Sequence, residues 1–132
     1  VDVHIIVEPT ISVSEGHQIS EIVRGTLIKQ FDEINDVMVH IDPEDDEHSR
    51  PSIDLPLRDE VLKLLNEACR DIPEYQKNQK ITLHYLNGQI HIELLLPLNI
   101  LENIQDSITV KQRFSQITSL DPRIATVTVR YE

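Results

Sequence analysis

The strongest constraint on this chain is its opening stretch, VDVHIIVEPTISVSEGHQISEIVRGTLIKQFDEINDVMVHIDPE. The first eight residues alternate, with Val1, Val3, Ile5 and Val7 on one face and Asp2, His4, Ile6 and Glu8 on the other, as a half-buried strand does. Pro9 and Thr10 end it, and Ser12 with Glu15 matches a capping box at the start of a helix. That helix carries Ile19, Ile22, Val23, Thr26 and Leu27 on one side, with His17 opposite the centre of the stripe. Gly25 lowers helix propensity and is a candidate for a close approach. A second strand, Val37–Asp42, turns Val37, Val39 and Ile41 inward and Met38, His40 and Asp42 outward. A strand, a crossover helix and a strand close right-handed, which makes the two strands parallel. His4 and His40 then share one sheet face, with Asp42 one pleat further on.

The next ten residues, Pro43 to Ser52, are acidic, bounded by proline and without periodicity, and read as a linker. Asp45, Asp46 and Glu47 with His48 could chelate weakly, although such a charge run is usually a solvated connection. Asp54 is placed to cap a second helix reaching about Asp71, with Leu57, Val61, Leu64, Leu65, Ala68 and Ile72 on its apolar side. Lys80–Leu86 and Gln89–Leu96 flank Asn87-Gly88, the strongest short hairpin signal there is. A less regular helix lies within Asn99–Ile117, and Ile124–Tyr131 is a last alternating strand. His84 and His91 sit across the hairpin and read as surface residues.

The two halves echo each other. Strand Gln89–Glu93, Pro97, a helix with Lys111-Gln112-Arg113-Phe114 and a Val-Thr-Val strand parallel the opening strand, Pro9, the helix ending Lys29-Gln30-Phe31, and Val37–Ile41. In this reading His91 corresponds to His4, and Val129 and Tyr131 fall near the places of His40 and Asp42. The expected fold class is α+β, with ferredoxin-like, metallochaperone-like units in tandem. Residues 1–43 form a partial strand-helix-strand unit, 44–53 the acidic linker, and 54–132 a full helix-strand-strand-helix-strand unit. The N-terminal unit is truncated relative to the second. The chain starts at Val1, inside a strand, and is expected to be a piece of a longer protein.

Composition narrows function. With 12 basic and 23 acidic side chains the formal net charge is -11, so phosphate backbones are repelled and nucleic acid is not an expected partner. The same field concentrates cations. One cysteine, Cys69, makes neither an internal disulfide nor a thiolate zinc site. No apolar run approaches the ~20 residues needed to span a bilayer.

The strand Val3-His4-Ile5-Ile6-Val7, then Glu15-Gly16-His17 opening a helix, then Val37-Met38-Val39-His40-Ile41-Asp42-Pro43, resembles the cytoplasmic C-terminal domain of the cation diffusion facilitator, or cation efflux, transporters. The resemblance implies that His4, His17, His40 and Asp42 are metal ligands. It also implies that a further ligand lies upstream of Val1, and that the second repeat, lacking these ligands, has a packing or dimerisation role. The implied ion is Zn2+ or a related divalent ion such as Fe2+, Mn2+, Co2+ or Cd2+. The implied partners are a second copy in a homodimer and the transmembrane domain of the same full-length protein, at the cytoplasmic face of the membrane. Imidazole and carboxylate suit Zn2+ and its neighbours independently of any family. His40 and Asp42 stand about 7 Å apart at the backbone, two steps of ~3.3 Å.

Two other classes compete. One is a free-standing soluble α+β module that binds metal or another ligand; the other is an enzyme in which a metal activates water. The sequence holds no nucleophile elbow, phosphate loop or HExxH, and an enzyme is not expected.

Overall fold

A computed structural model describes residues 1–132, which divide into two compact units, Val1–Arg50 and Pro51–Glu132. In the first, strand β1 (Asp2–Ile6) leads through helix α1 (Val13–Gln30) to strand β2 (Met38–Asp42). The strands pair in parallel, with Asp2 opposite Met38, His4 opposite His40 and Ile6 opposite Asp42. Ser12 starts α1 by accepting the Glu15 N–H at 3.1 Å, satisfying one of the free donors of the first turn.

Helix α1 sits on β2 through Gly16, which is buried. A Cβ there would meet Ile41 Cγ2 at 3.3 Å, whereas one at Gly25 would meet nothing within 4 Å. The close approach therefore falls at Gly16 and not at Gly25. The inward stripe also differs from the periodic reading. Gly16, Ile19, Ser20, Val23 and Leu27 turn inward, while Ile22 and Thr26 are exposed. Seating the helix on its glycine rotates it so that positions three and four residues from Gly16 face the sheet.

The second unit holds helix α2 (Arg58–Ala68), strands β3 (Lys80–Leu86) and β4 (Gln89–Leu96), helix α3 (Ile104–Ser115) and strand β5 (Ile124–Tyr131). The sheet order is β3-β4-β5, antiparallel across the hairpin and parallel across the α3 crossover. Asn87 and Gly88 both have positive φ, 50° and 69°, the conformation a two-residue primed turn requires. The fold is mixed α+β, in keeping with a ferredoxin-like arrangement.

Nearly all the fully buried apolar side chains lie here. Val61, Leu65 and Cys69 from α2 and its end meet Ile90, Ile92, Leu94 and Leu96 of β4 and Phe114 of α3. Asp54 is not the cap of α2. The helix starts after Leu57, which offers no side-chain acceptor and is exposed, and Asp59 and Glu60 face the helix dipole instead. Pro56 is buried, and its carbonyl accepts the Tyr85 hydroxyl at 3.0 Å, which holds this segment extended. Helix α3 has a full capping box between Asn103 and Asp106 that the periodicity did not reveal.

Two measurements follow from these contacts. Gly25→Ala should stabilise the first unit by about 0.5–1 kcal/mol, because a new methyl enters open space and helix propensity improves. Gly16→Ala should destabilise it through Ile41, so the two variants should shift in opposite directions in urea titrations. Burial pushes the Cys69 thiol up to about 11. It should resist a thiol reagent at pH 8 in the folded protein and react at once in denaturant.

Candidate metal centre

Strand alternation and parallel register together assemble a polar face on the first unit. Gly16 and Ile41 meet on the helix side of the sheet, so Asp2, His4, His40 and Asp42 stand on the other side. The His4 and His40 rings stack at 4.5 Å between centroids, only 7° from parallel. His4 Nδ1 lies 2.8 Å from Asp42 Oδ2, and His40 Nε2 lies 3.6 Å from Asp2 Oδ1. Each imidazole thus has a carboxylate of its own. Asp42 is the most protected of the four, with 18 % of its side chain exposed against 61 % for His4.

His17 is not brought to this group. It lies in the first turns of α1, exposed, and lines a groove with Val7, Ile11, Gly16 and Ile41 on the helix side of the sheet. The sheet itself separates it from His4 and His40.

The acidic segment is more ordered than its composition suggests. Asp45 accepts from the Glu47 N–H at 3.0 Å through its side chain, while its carbonyl accepts from the N–H groups of His48 and Ser49. The Asp45 carboxylate also meets His48 Nδ1 at 2.7 Å. This bond and the Glu47 N–H hold the Asp45 carboxyl below the usual aspartate range. Ligand atoms of Asp45, Glu47 and His48 all lie within 4.8 Å of one another, a candidate divalent-metal cluster. It adjoins the strand pair, because a pocket of about 240 Å³ is lined by His4, Ile6 and Asp42 together with Glu44, Asp45 and Glu47. In sequence, Asp45, Glu47 and His48 read only as weak chelators in a solvated connection, because a turn has no period from which their meeting could be read.

The donor set fits a borderline divalent ion. Neutral imidazole and carboxylate oxygen are what Zn2+ and its neighbours take in the absence of thiolate. His4, His40, Asp2 and Asp42 would hold it on the strands, and Asp45, Glu47 and His48 at the turn. A bound ion would supply the charge that these carboxylates offset.

The histidine-carboxylate face and the acidic turn lie in or beside a segment that resembles a known domain. Residues 1–44 match a dimerisation-type family model described as "Cation efflux protein, cytoplasmic domain". Through that segment the chain is similar to the cytoplasmic domain of cation efflux proteins. Over 142 aligned residues it is 27 % identical to "Metal tolerance protein C1" of Arabidopsis thaliana. The alignment covers 98 % of this chain and 30 % of that relative's length. No solved structure matches the chain. No helix is long and apolar enough to cross a membrane.

The turn gives a pH prediction. Asp45 has a lowered folded-state pKa, so its contribution to the turn is complete above the unfolded aspartate value, about 3.9. That contribution is lost as the pH falls through the depressed folded value. Carboxyl-carbon NMR should show Asp45 titrating below the unfolded aspartate value, and His48→Ala should raise its midpoint toward that value.

Proposed function

We propose that this chain is part of a divalent-cation exporter, most simply one for Zn2+, and that it binds metal to draw subunits together and bias a transmembrane portion. The observation that carries the reading is the stacked His4–His40 pair with Asp42 and Asp2, inside the segment that matches the cation efflux cytoplasmic domain. His4, His40 and Asp42 are the strand ligands. His17 stands on the other side of the sheet, so it joins them only from a second copy.

Association has independent support in the first unit. Val37 is its only fully buried large apolar side chain, while Ile6, Ile22, Phe31 and Met38 are exposed. An apolar groove of about 420 Å³ also opens between α1 and the strands. Surfaces of this kind favour a homodimer or a further segment of the same protein. The domain division assigned to this function is a metal-binding unit over residues 1–43, an acidic turn segment over 44–53 and a packing unit over 54–132. The relative's much greater length favours attachment to a larger protein over a free-standing module.

Zn2+ titration by calorimetry should show binding in the wild type that is strongly weakened in a His40→Ala, Asp42→Ala double variant. Because imidazole coordinates only when neutral, affinity should fall as the solution is acidified. Sedimentation should show Zn2+ shifting the wild type, and not the double variant, toward dimer. Equal affinity in both proteins would mean that the strand residues are an ordinary polar face.

A further inference from the structure

We propose that Asn87-Gly88, the tip of the hairpin in the second unit, is a self-modification site. The Asn87 side-chain amide is lost through a cyclic imide, leaving aspartate or isoaspartate, and the folded turn sets the rate. The inference stands on the second unit alone and does not depend on the metal ligands.

The sequence singles out this pair. Asn35, Asn66, Asn78, Asn99 and Asn103 precede Asp36, Glu67, Gln79, Ile100 and Ile104, whereas Asn87 precedes Gly88. The backbone nitrogen that follows an asparagine can attack its side-chain carbonyl carbon, and a glycine there has no Cβ to obstruct the approach. Three of the other asparagines are also tied. Asn66 Oδ1 accepts the Tyr75 hydroxyl at 2.9 Å, Asn103 Oδ1 accepts the Asp106 N–H at 3.1 Å, and Asn78 Nδ2 donates to the Tyr75 carbonyl. Asn87 is exposed to the water that the reaction consumes.

The chemistry needs only solvent. The Gly88 nitrogen forms a bond to Asn87 Cγ and the Cγ–Nδ2 bond breaks. The amide nitrogen leaves as ammonia, taking up the proton of the Gly88 N–H. A water molecule then opens the five-membered imide. Attack at Cγ restores the Gly88 link to the main-chain carbonyl carbon and gives aspartate. Attack at the main-chain carbonyl carbon leaves Gly88 attached to Cγ and gives isoaspartate. In either case one amide and one water become one carboxylate and one ammonium ion.

The fold restrains the first step. Leu86 and Gln89 pair across the turn, and Asn87 and Gly88 are both held at positive φ, 50° and 69°, as a two-residue primed turn requires. Closing the imide ring needs the Asn87–Gly88 peptide to rotate out of that left-handed geometry, so the tip must open before the nitrogen reaches Cγ. Local opening of a loop tip costs less than global unfolding, and the rate follows the population of the open turn. The two products then diverge. Asp-Gly is itself a preferred primed-turn pair, so aspartate keeps the hairpin. Isoaspartate adds a main-chain methylene to a two-residue link, and the Leu86–Gln89 pairing no longer closes. Register is what sends Ile90, Ile92, Leu94 and Leu96 into the core, so the isoaspartate form loses stability.

The test incubates the whole 132-residue chain at pH 8, folded and in unfolding urea, and follows it by peptide mass spectrometry with isoaspartyl methyltransferase labelling. The expected result is amide loss at Asn87 ahead of every other asparagine, about ten-fold or more slower in the folded chain than in urea. Asn87→Gly, which keeps a permitted Gly-Gly turn pair and has no amide to lose, should abolish the reaction at this position with the fold intact. The isoaspartyl fraction, separated by chromatography, should unfold at lower urea than the unreacted chain, whereas Asn87→Asp should unfold close to the wild type. Earlier reaction at another asparagine, or equal rates in the folded and unfolded chain, would overturn the proposal. So would an isoaspartyl fraction as stable as the unreacted protein. The wild-type peptides report the site and the rate, so the result does not depend on any variant folding. The metal reading of the first unit stands or falls separately.

Discussion

The parallel pairing of β1 with β2 is the constraint on which the N-terminal unit depends. Parallel neighbours cannot be joined by a tight turn, so α1 must cross over one face, and it is Gly16 that lets the helix lie against Ile41. Covering that face forces the other face outward. His4 and His40 meet because they are in register, and both point away from the helix because Val39 and Ile41 point toward it. The histidine-carboxylate face of the unit is a by-product of how its apolar residues are placed.

The second unit solves the burial problem that the first leaves open. It has an extra helix and an extra strand, and Val61, Leu65 and Cys69 of that helix and its end close over Ile90, Ile92, Leu94 and Leu96. In the first unit the corresponding space is a groove lined by Val7, Ile11 and Ile41. One unit therefore has a closed core, while the other leaves an apolar groove open. If association completes the packing of that unit, as proposed above, it is well suited to report on ions that promote association. The coupling is thermodynamic. An ion that binds the associated form better must favour association by the same factor.

Electrostatics makes the same division. The formal net charge of -11 opposes packing the acidic turn tightly, and a divalent ion removes two units of that repulsion. Asp45 stays ionised because His48 and the Glu47 N–H stabilise its carboxylate. The turn is thus preorganised to offer an anion at neutral pH. By contrast Asp121, on the second unit, is held ionised by Arg123 at 2.8 Å and serves only to fix the entry to β5. Similar carboxylates do different work because one is matched by a permanent cation and the other by an imidazole that can exchange its partner for a metal.

Period and turn chemistry determined much of this protein from sequence alone. The hairpin strands Lys80–Leu86 and Gln89–Leu96 and the last strand Ile124–Tyr131 are where alternation and Asn87-Gly88 put them. The shared face of His4, His40 and Asp42 follows from a period of two and a right-handed crossover. Local pattern could not set what depends on distant contacts. Which glycine seats α1 was decided by Ile41, and Asp54 lost the capping role because Tyr85 anchors Pro56 and delays the helix. The partner of His91 is Thr126, where the echo between the halves suggested Val129, because the register between β4 and β5 is set by contacts the echo does not contain. The order of the acidic turn rests on Asp45 bonding its own following residues, which composition reads only as charge. Sequence determined which atoms could bind a metal, since residue type and strand period are local. Only tertiary structure decided which of them meet, since that depends on register and helix seating between segments far apart in the chain.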